Sequence, residues 1–237
     1  MTTLRSTLSE RKNEFYTHFA LAQAMDQRLF EGDPMQIGDI TLSVRHLMTI
    51  KSGLIVHLYN IVEAVMTCTI KEVGAAVQLI PPAEWSNDTL KEWLRFYATA
   101  GTDGNEESRL NVVHKAALKL LAKETIRDLK FKKPSGTWSD KVIYTFSKRL
   151  NVQFILTGDI ARKLRPNARY GDKSPMEFLA KRRNDIAHGR RSFENGATDL
   201  TLQDIQDLAE ITIDYMELAV VAFQNFLNDR KFIAEPI

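Results

Sequence analysis

A chain of 237 residues, 44% apolar and 26% charged, is long enough to bury a sizeable core and too rich in apolar residues to be a disordered segment. Lys and Arg number 32 against 30 Asp and Glu, and a net charge of +2 excludes nucleic-acid affinity that rests on overall charge alone. A lone cysteine, Cys68, excludes an internal disulfide; in its apolar stretch it reads as a core thiol of a protein in a reducing compartment such as the cytosol.

The N-terminus opens on a charged amphipathic pattern without the apolar run of a signal peptide, so a cytoplasmic location is expected. Leu8, Phe15, Phe19, Ala22, Met25 and Leu29 recur at helical spacing and predict a first helix, ended by the Gly32-Asp33-Pro34 turn signal. From about Ser43 to Val77, Leu47, Ile50, Leu54, Leu58, Ile61, Val65 and Cys68 form one stripe at steps of three and four, which predicts a long central helix. Its most apolar part, Gly53 to Ile70, is interrupted by His57, Asn60 and Glu63, so a buried helix is expected and not a membrane span. Pro81-Pro82 ends it, and Ser86-Asn87-Asp88 offers caps for a helix carrying Trp93, Phe96 and Tyr97. A loop at Gly101 to Gly104 follows, then an amphipathic helix marked by Leu110, Val113, Ala117 and Leu120 or Leu121. After a basic turn, Lys132 to Gly136, the residues Val142, Phe146 and Leu150 predict a shorter helix, and Asn151 to Asp172 reads as irregular.

The penultimate helix carries the clearest signals. Ser174 is an N-cap, Pro175 suits the first helical position, Glu177 completes a capping box and Gly189 supplies a left-handed end, which predicts a helix from Pro175 to about His188. The last helix opens with Thr201 and Asp204 in the same capping relation. It carries Ile205, Leu208, Thr212, Tyr215, Ala219, Ala222 and Phe226 along one seam. With no repeat, no alternating strand pattern of useful length and no low-complexity linker, an all-α fold in one helical domain over residues 1–237 is the simplest account. A small insertion between Ser86 and Ser135 is the alternative.

Charge is unevenly distributed. Ten basic residues stand between Arg162 and Arg191 against three acidic ones, whereas Ser192 to Glu217 holds seven acids and no Lys or Arg. Two solvated faces would be the ordinary account of such runs, but the basic block surrounds the one motif that looks chemical.

That motif is Arg183-Asn184-Asp185-Ile186-Ala187-His188. His is the side chain poised near neutral pH to take a proton from a ribose 2′-hydroxyl or give one to a leaving 5′-oxygen. Arg clamps a phosphate and stabilises its growing charge, and Asn184 orients either group without titrating. The 2′-hydroxyl is an internal nucleophile, so this chemistry needs no metal and no cofactor. Lys181, Arg182, Arg190 and Arg191 would hold the strand's backbone. Geometry poses a difficulty, because Arg183 and His188 lie roughly 140° apart on a regular helix at ~100° per residue. A shared site needs a bend near Gly189, a long reach by the Arg, or a second copy of the helix. Spacing alone favours a structural histidine, since Arg and His five apart occur together by chance in many proteins.

The longer string tips the balance. Arg183 to Gly189 closely resembles the HEPN signature, often written Arg-Asn-x-Ile-Ala-His-Gly, and sits as that signature does in a capped helix before a long final one. Leu58-Tyr59-Asn60-Ile61-Val62-Glu63-Ala64 is similar to the Leu-Tyr-x-x-x-Glu-x segment of some HEPN subfamilies, and Trp138 to Val142 through Arg149-Leu150 to their middle segment. The resemblance spans about Ser43 to Leu227; residues 1–42 match no known element and read as a family-specific first helix or a partner-binding one. It implies a helical bundle that dimerises through its motif helices, and a metal-independent ribonuclease of toxin–antitoxin or anti-phage defence systems that leaves a cyclic phosphate. On that reading Arg183, Asn184 and His188 are catalytic, RNA is the substrate, and an antitoxin or defence-system protein is a further partner. Where some HEPN toxins continue to a Tyr, Gly189 and Arg190 stand here, so regulation through that Tyr does not carry over.

Asn60 and Glu63, polar on a mostly apolar helix, are either supporting groups behind the Arg183–His188 site or satisfied structural residues. His46, His57 and His114 lack a Cys or carboxylate partner at ligand spacing, which argues against a zinc site, and His57 reads as a core or interface residue. Gly32, Gly101 and Gly104 lack the spacing of a phosphate loop. The competing functions are a catalytically silent HEPN scaffold that binds RNA or a protein, and the helical partner subunit of a nucleotidyltransferase.

Overall fold

The computed structural model describes residues 2–32, 36–100, 105–126, 129, 131–134 and 136–235, with the backbone alone for 96–100. Eight α-helices run through the described residues: α1 (Thr3–Glu31), α2 (Val44–Val77), α3 (Asn87–Ala100), α4 (Glu106–Leu121), α5 (Asp140–Arg149), α6 (Gly158–Lys163), α7 (Pro175–Ala187) and α8 (Leu202–Asn228). The expected all-α class is the observed one. The predicted turn residues Asp33 and Pro34, the Gly101 to Gly104 loop, Ser135 of the basic turn, and the Phe96 and Tyr97 side chains lie outside the described residues.

The chain divides into two compact units. The first comprises Met1–Val65, Thr137–Asp140 and Leu156–Leu218. Its core takes Leu4, Leu8, Phe15, Phe19, Ala22 and Met25 from α1, which is buried along the predicted stripe except at its last turn. From α2 it takes Leu54, Ile55, Leu58, Tyr59, Ile61, Val62 and Val65, all 1% exposed or less. Between Leu54 and Val65 about two residues in each turn of α2 are therefore buried, a wider apolar face than the single stripe. Leu179 and Ile186 of α7 and Ile205, Leu208 and Ile213 of α8 complete this core.

The second unit comprises Met66–Gly136, Lys141–Ile155 and Ala219–Ile237. Aromatic pairs organise it: Trp85 meets Trp93 edge-on at 5.5 Å, Phe146 stacks on Phe223 at 5.8 Å, and Phe226 lies 6.0 Å from Phe232. Such pairs add ~0.5–1.5 kcal/mol each beyond their buried area. The Trp85 indole N–H donates to the Ile80 carbonyl, and the C-terminal stretch ties to the loop before α3 through Ser86 N–H to Phe232 O and Ala234 N–H to Glu84 O.

Four features depart from expectation. Between α1 and α2 stand two-residue strands, β1 (Gln36–Ile37) and β2 (Ile40–Thr41), paired antiparallel around Gly38-Asp39. All four strand residues are exposed, so no apolar alternation announces them, and only the Gly-Asp pair signals the turn. Residues 151–172 are not wholly irregular, because Thr157 accepts the Ile160 N–H and caps α6. Of the apolar residues on α4 only Ala116 is buried, whereas Leu110 and Val113 are more than half exposed. Cys68 is partly exposed and not a core thiol: the stripe it continues turns toward the surface at that end of α2.

α2 is long and apolar enough to cross a membrane, the one such helix among the described residues, and half of its most apolar window is buried within the protein.

Candidate active site

The motif helix is held at its start by more than its capping box. Ser174 Oγ accepts the Glu177 N–H at 3.1 Å, and the Glu177 carboxylate accepts the Ser174 N–H at 3.3 Å. The same Oγ donates to Asp140 Oδ1 at 2.6 Å, and Tyr215 of α8 donates to the Asp140 carbonyl at 2.8 Å. The entry of α7 is thereby tied to the start of α5 and to α8.

At the other end α7 stays regular to Ala187, and His188 caps it. The His188 N–H still donates to the Asn184 carbonyl at 2.9 Å, and the left-handed residue comes one position later, at Gly189 with φ +69°. No bend therefore brings Arg183 and His188 together. Ile186 is buried, His188 is exposed, and Arg183 and Asn184 lie between these extremes.

Arg183 reaches across to α2. Its Nη2 donates to Glu63 Oε2 at 2.7 Å, its Nη1 to Asn184 Oδ1 at 3.1 Å, and its guanidinium lies 4.6 Å from the centre of the Tyr59 ring. Tyr59 is itself anchored, its hydroxyl accepting the Trp138 N–H at 2.9 Å, and burial raises its pKa. Tyr59 and Glu63 are four residues apart on one face of α2. Asn60 is exposed, so of the two polar residues weighed as supporting groups Glu63 alone engages Arg183. Tyr59 was legible only within the Leu-Tyr-x-x-x-Glu string; nothing in the spacing marks its ring as a platform for a cation.

The four flanking cations are placed differently. Arg182 is 6% exposed; it forks onto Asp199 at 2.6 and 2.8 Å, donates to the Gly196 carbonyl at 2.8 Å, and lies over Phe178 at 4.7 Å. Its guanidinium is turned inward, and it depresses the pKa of the Asp199 carboxyl by hydrogen bonding to it. Lys181 pairs with Asp185 at 2.5 Å and Arg190 with the same carboxylate at 3.4 Å, both largely exposed. The Lys181 ammonium holds the Asp185 carboxyl below its ordinary range. Arg191 lies 3.7 Å from Asp199. The acidic block is thus not a separate solvated face: Asp199, Asp204, Asp207 and Asp214 all pair with cations of the basic block, Arg169 taking Asp204 and Asp207 and Lys163 reaching Asp214. Among the described residues no group of three or more His, Cys, Asp or Glu side chains is placed to hold a metal ion.

The chain is thus an all-α protein whose penultimate helix carries Arg183, Asn184 and His188, with Arg183 answered by Tyr59 and Glu63 of the long helix α2. The family model described as HEPN_MAE_28990-like HEPN matches residues 1–232, and the chain belongs to that family. The match begins at residue 1 and so covers residues 1–42, which resembled no known element by themselves. No curated protein and no solved structure matches the chain.

Proposed function

We propose that this protein is a metal-independent endoribonuclease, a toxin or anti-phage defence effector that cuts RNA as a homodimer. The observation that carries the reading is the split placement of the motif: Arg183 is preorganised on α2 by Glu63, Tyr59 and Asn184, while His188 stands exposed at the end of the same helix. A histidine kept for packing would be buried, and an arginine kept for solubility would not be held by three groups. With α7 regular to His188, the ~140° between the two side chains is bridged by a second copy, whose motif helix faces the first across one cleft.

In the reaction a His188 imidazole takes the proton of a ribose 2′-hydroxyl as its oxygen attacks the adjacent phosphorus. The bond from phosphorus to the 5′-oxygen breaks, that oxygen leaves with a proton from the other copy's His188, and a 2′,3′-cyclic phosphate remains. Arg183 stabilises the charge that gathers on the phosphoryl oxygens. Lys181, Arg190 and Arg191 supply screening along the strand, and an antitoxin or defence-system partner restrains the enzyme.

The test is cleavage of end-labelled single-stranded RNA and of a tRNA pool in excess EDTA, with wild type beside His188→Ala and Arg183→Ala. The wild type is expected to cut and leave cyclic-phosphate ends, and each variant to lose ~10²-fold or more. Equal traces from all three would overturn the reading. One observation favours a silent scaffold that binds RNA or a protein: the Arg183 guanidinium is already taken up by Glu63 and Asn184. That reading expects RNA binding in all three proteins and cutting in none.

A further inference from the structure

A cavity of about 200 Å³ lies beside α7, lined by Tyr170, Lys173, Phe178, Lys181, Arg182 and Arg191 among others. Three features mark it as a built site. Its cations outnumber the single lining carboxylate, Asp185, four to one. Arg182 is spent on Asp199 and Lys181 on Asp185, but Lys173 forms no ion pair among the described residues and Arg191 only a long one. Its aromatic wall is Phe178, partly exposed, with the Arg182 guanidinium lying on the ring and Tyr170 at 5.3 Å. The Tyr170 hydroxyl, on a residue 2% exposed, has no hydrogen-bond partner among the described residues, a situation that buried polar atoms rarely tolerate.

Cations beside an aromatic–guanidinium face are what a nucleotide of an unpaired strand requires, phosphate on the former and base on the latter. The volume decides how much enters: pockets that bury a whole small ligand begin near ~300 Å³, so this one takes a flat ring and leaves sugar and phosphate at its mouth. Position connects it to the motif. At ~100° per residue Lys181 on the cavity rim is roughly 20° from His188 around α7 and the Phe178 wall roughly 80°, so the rim lies on the histidine's side of the helix, whereas Arg183 points to α2.

We infer that the cavity between Tyr170 and α7 seats one base of single-stranded RNA next to the nucleotide that is cut, with its phosphate on Lys173 and Arg191. The inference rests on the ribonuclease reading and extends it from a phosphate-holding surface to a base-holding subsite. Asp185, which bridges Lys181 and Arg190, fixes the cations at its rim.

The experiment uses full-length protein and a short single-stranded RNA, 2′-O-methylated so that it cannot be cut, carrying 5-iodouridine for photocrosslinking. The expected result is a crosslink in the Tyr170 to Phe178 segment, together with Lys173→Ala weakening binding about fivefold and lowering the salt slope of log K by ~0.7, one phosphate contact on a single strand. Uridine 5′-monophosphate alone is expected to compete only at far higher concentration. Crosslinks elsewhere with an unchanged slope for Lys173→Ala, or equal competition by the free nucleotide, overturn the inference. Cleavage of unmodified RNA by the same preparation separates the two readings: a crosslink without cutting keeps the subsite and removes the nuclease, and cutting without the crosslink does the reverse.

Discussion

Glu63 shows how one contact changes the meaning of a residue. In sequence it is a carboxylate on an apolar helix, as readily structural as supportive, and 120 residues from its partner. In space it is the group that aims Arg183, helped by the Tyr59 ring beneath the guanidinium. Glu63→Gln keeps the size of the side chain and removes the charge, so Arg183 loses its strongest hold while the fold is retained. Cleavage is expected to fall about tenfold, ~1.4 kcal/mol of transition-state stabilisation, in kcat and with KM unchanged. A single-turnover assay beside a substrate titration checks this, and an unaltered kcat would remove Glu63 from the positioning role. Arg182 is the contrasting case: adjacent to Arg183 and equally basic, it is 6% exposed and serves the interior. One step of ~100° around the helix separates a cation directed at Glu63 of α2 from one directed at Asp199 and the interior.

At the scale of elements, α7 has its limits written in its sequence and its orientation written elsewhere. Ser174, Pro175, Glu177 and Gly189 set where it begins and ends, and each is observed in the predicted role. Yet Ser174 Oγ also donates to Asp140, a residue that no local pattern links to a cap. Ser174→Ala removes the cap and this tie together, and a loss of about 1–2 kcal/mol in urea unfolding is expected. A loss well under 1 kcal/mol would show that the Pro175 turn and Glu177 hold the helix start without the hydroxyl. α4 teaches the opposite lesson, since its helical spacing is real but its apolar residues are largely exposed, and periodicity reports helicity more faithfully than burial.

At the scale of the molecule, the two long helices α2 and α8 each contribute to both compact units, and within the first unit α1 meets α2 at a histidine pair as well as through its apolar face. His18 Nδ1 and His57 Nδ1 are 3.4 Å apart, with Phe15 edge-on to His57 and Glu14 3.9 Å from its other nitrogen. Burial, and for His18 the neighbouring His57, lowers the pKa of both rings from the ordinary 6.5; Glu14 opposes this for His57 and Arg11 adds to it. With folded-state values depressed, the unfolded chain takes up protons first as pH falls past about 6.5. Stability from this pair is whole above that range and is lost on acidification below it. The urea midpoint of the wild type is expected to drop between about pH 7 and about pH 5, and His18→Gln to flatten that drop. Parallel profiles for the two proteins would show that other groups carry the acid sensitivity.

By itself the sequence determined the helical class, most helix limits and the string from Arg183 to His188, because capping, turn chemistry and 3.6-residue periodicity act over a few neighbours. The tertiary structure decided which polar residue answers Arg183, which cation of the basic block is buried, how the acidic block is spent and where a cavity opens beside α7. These depend on which faces of distant helices meet, a choice made by packing and desolvation across the chain, and local spacing holds no record of it.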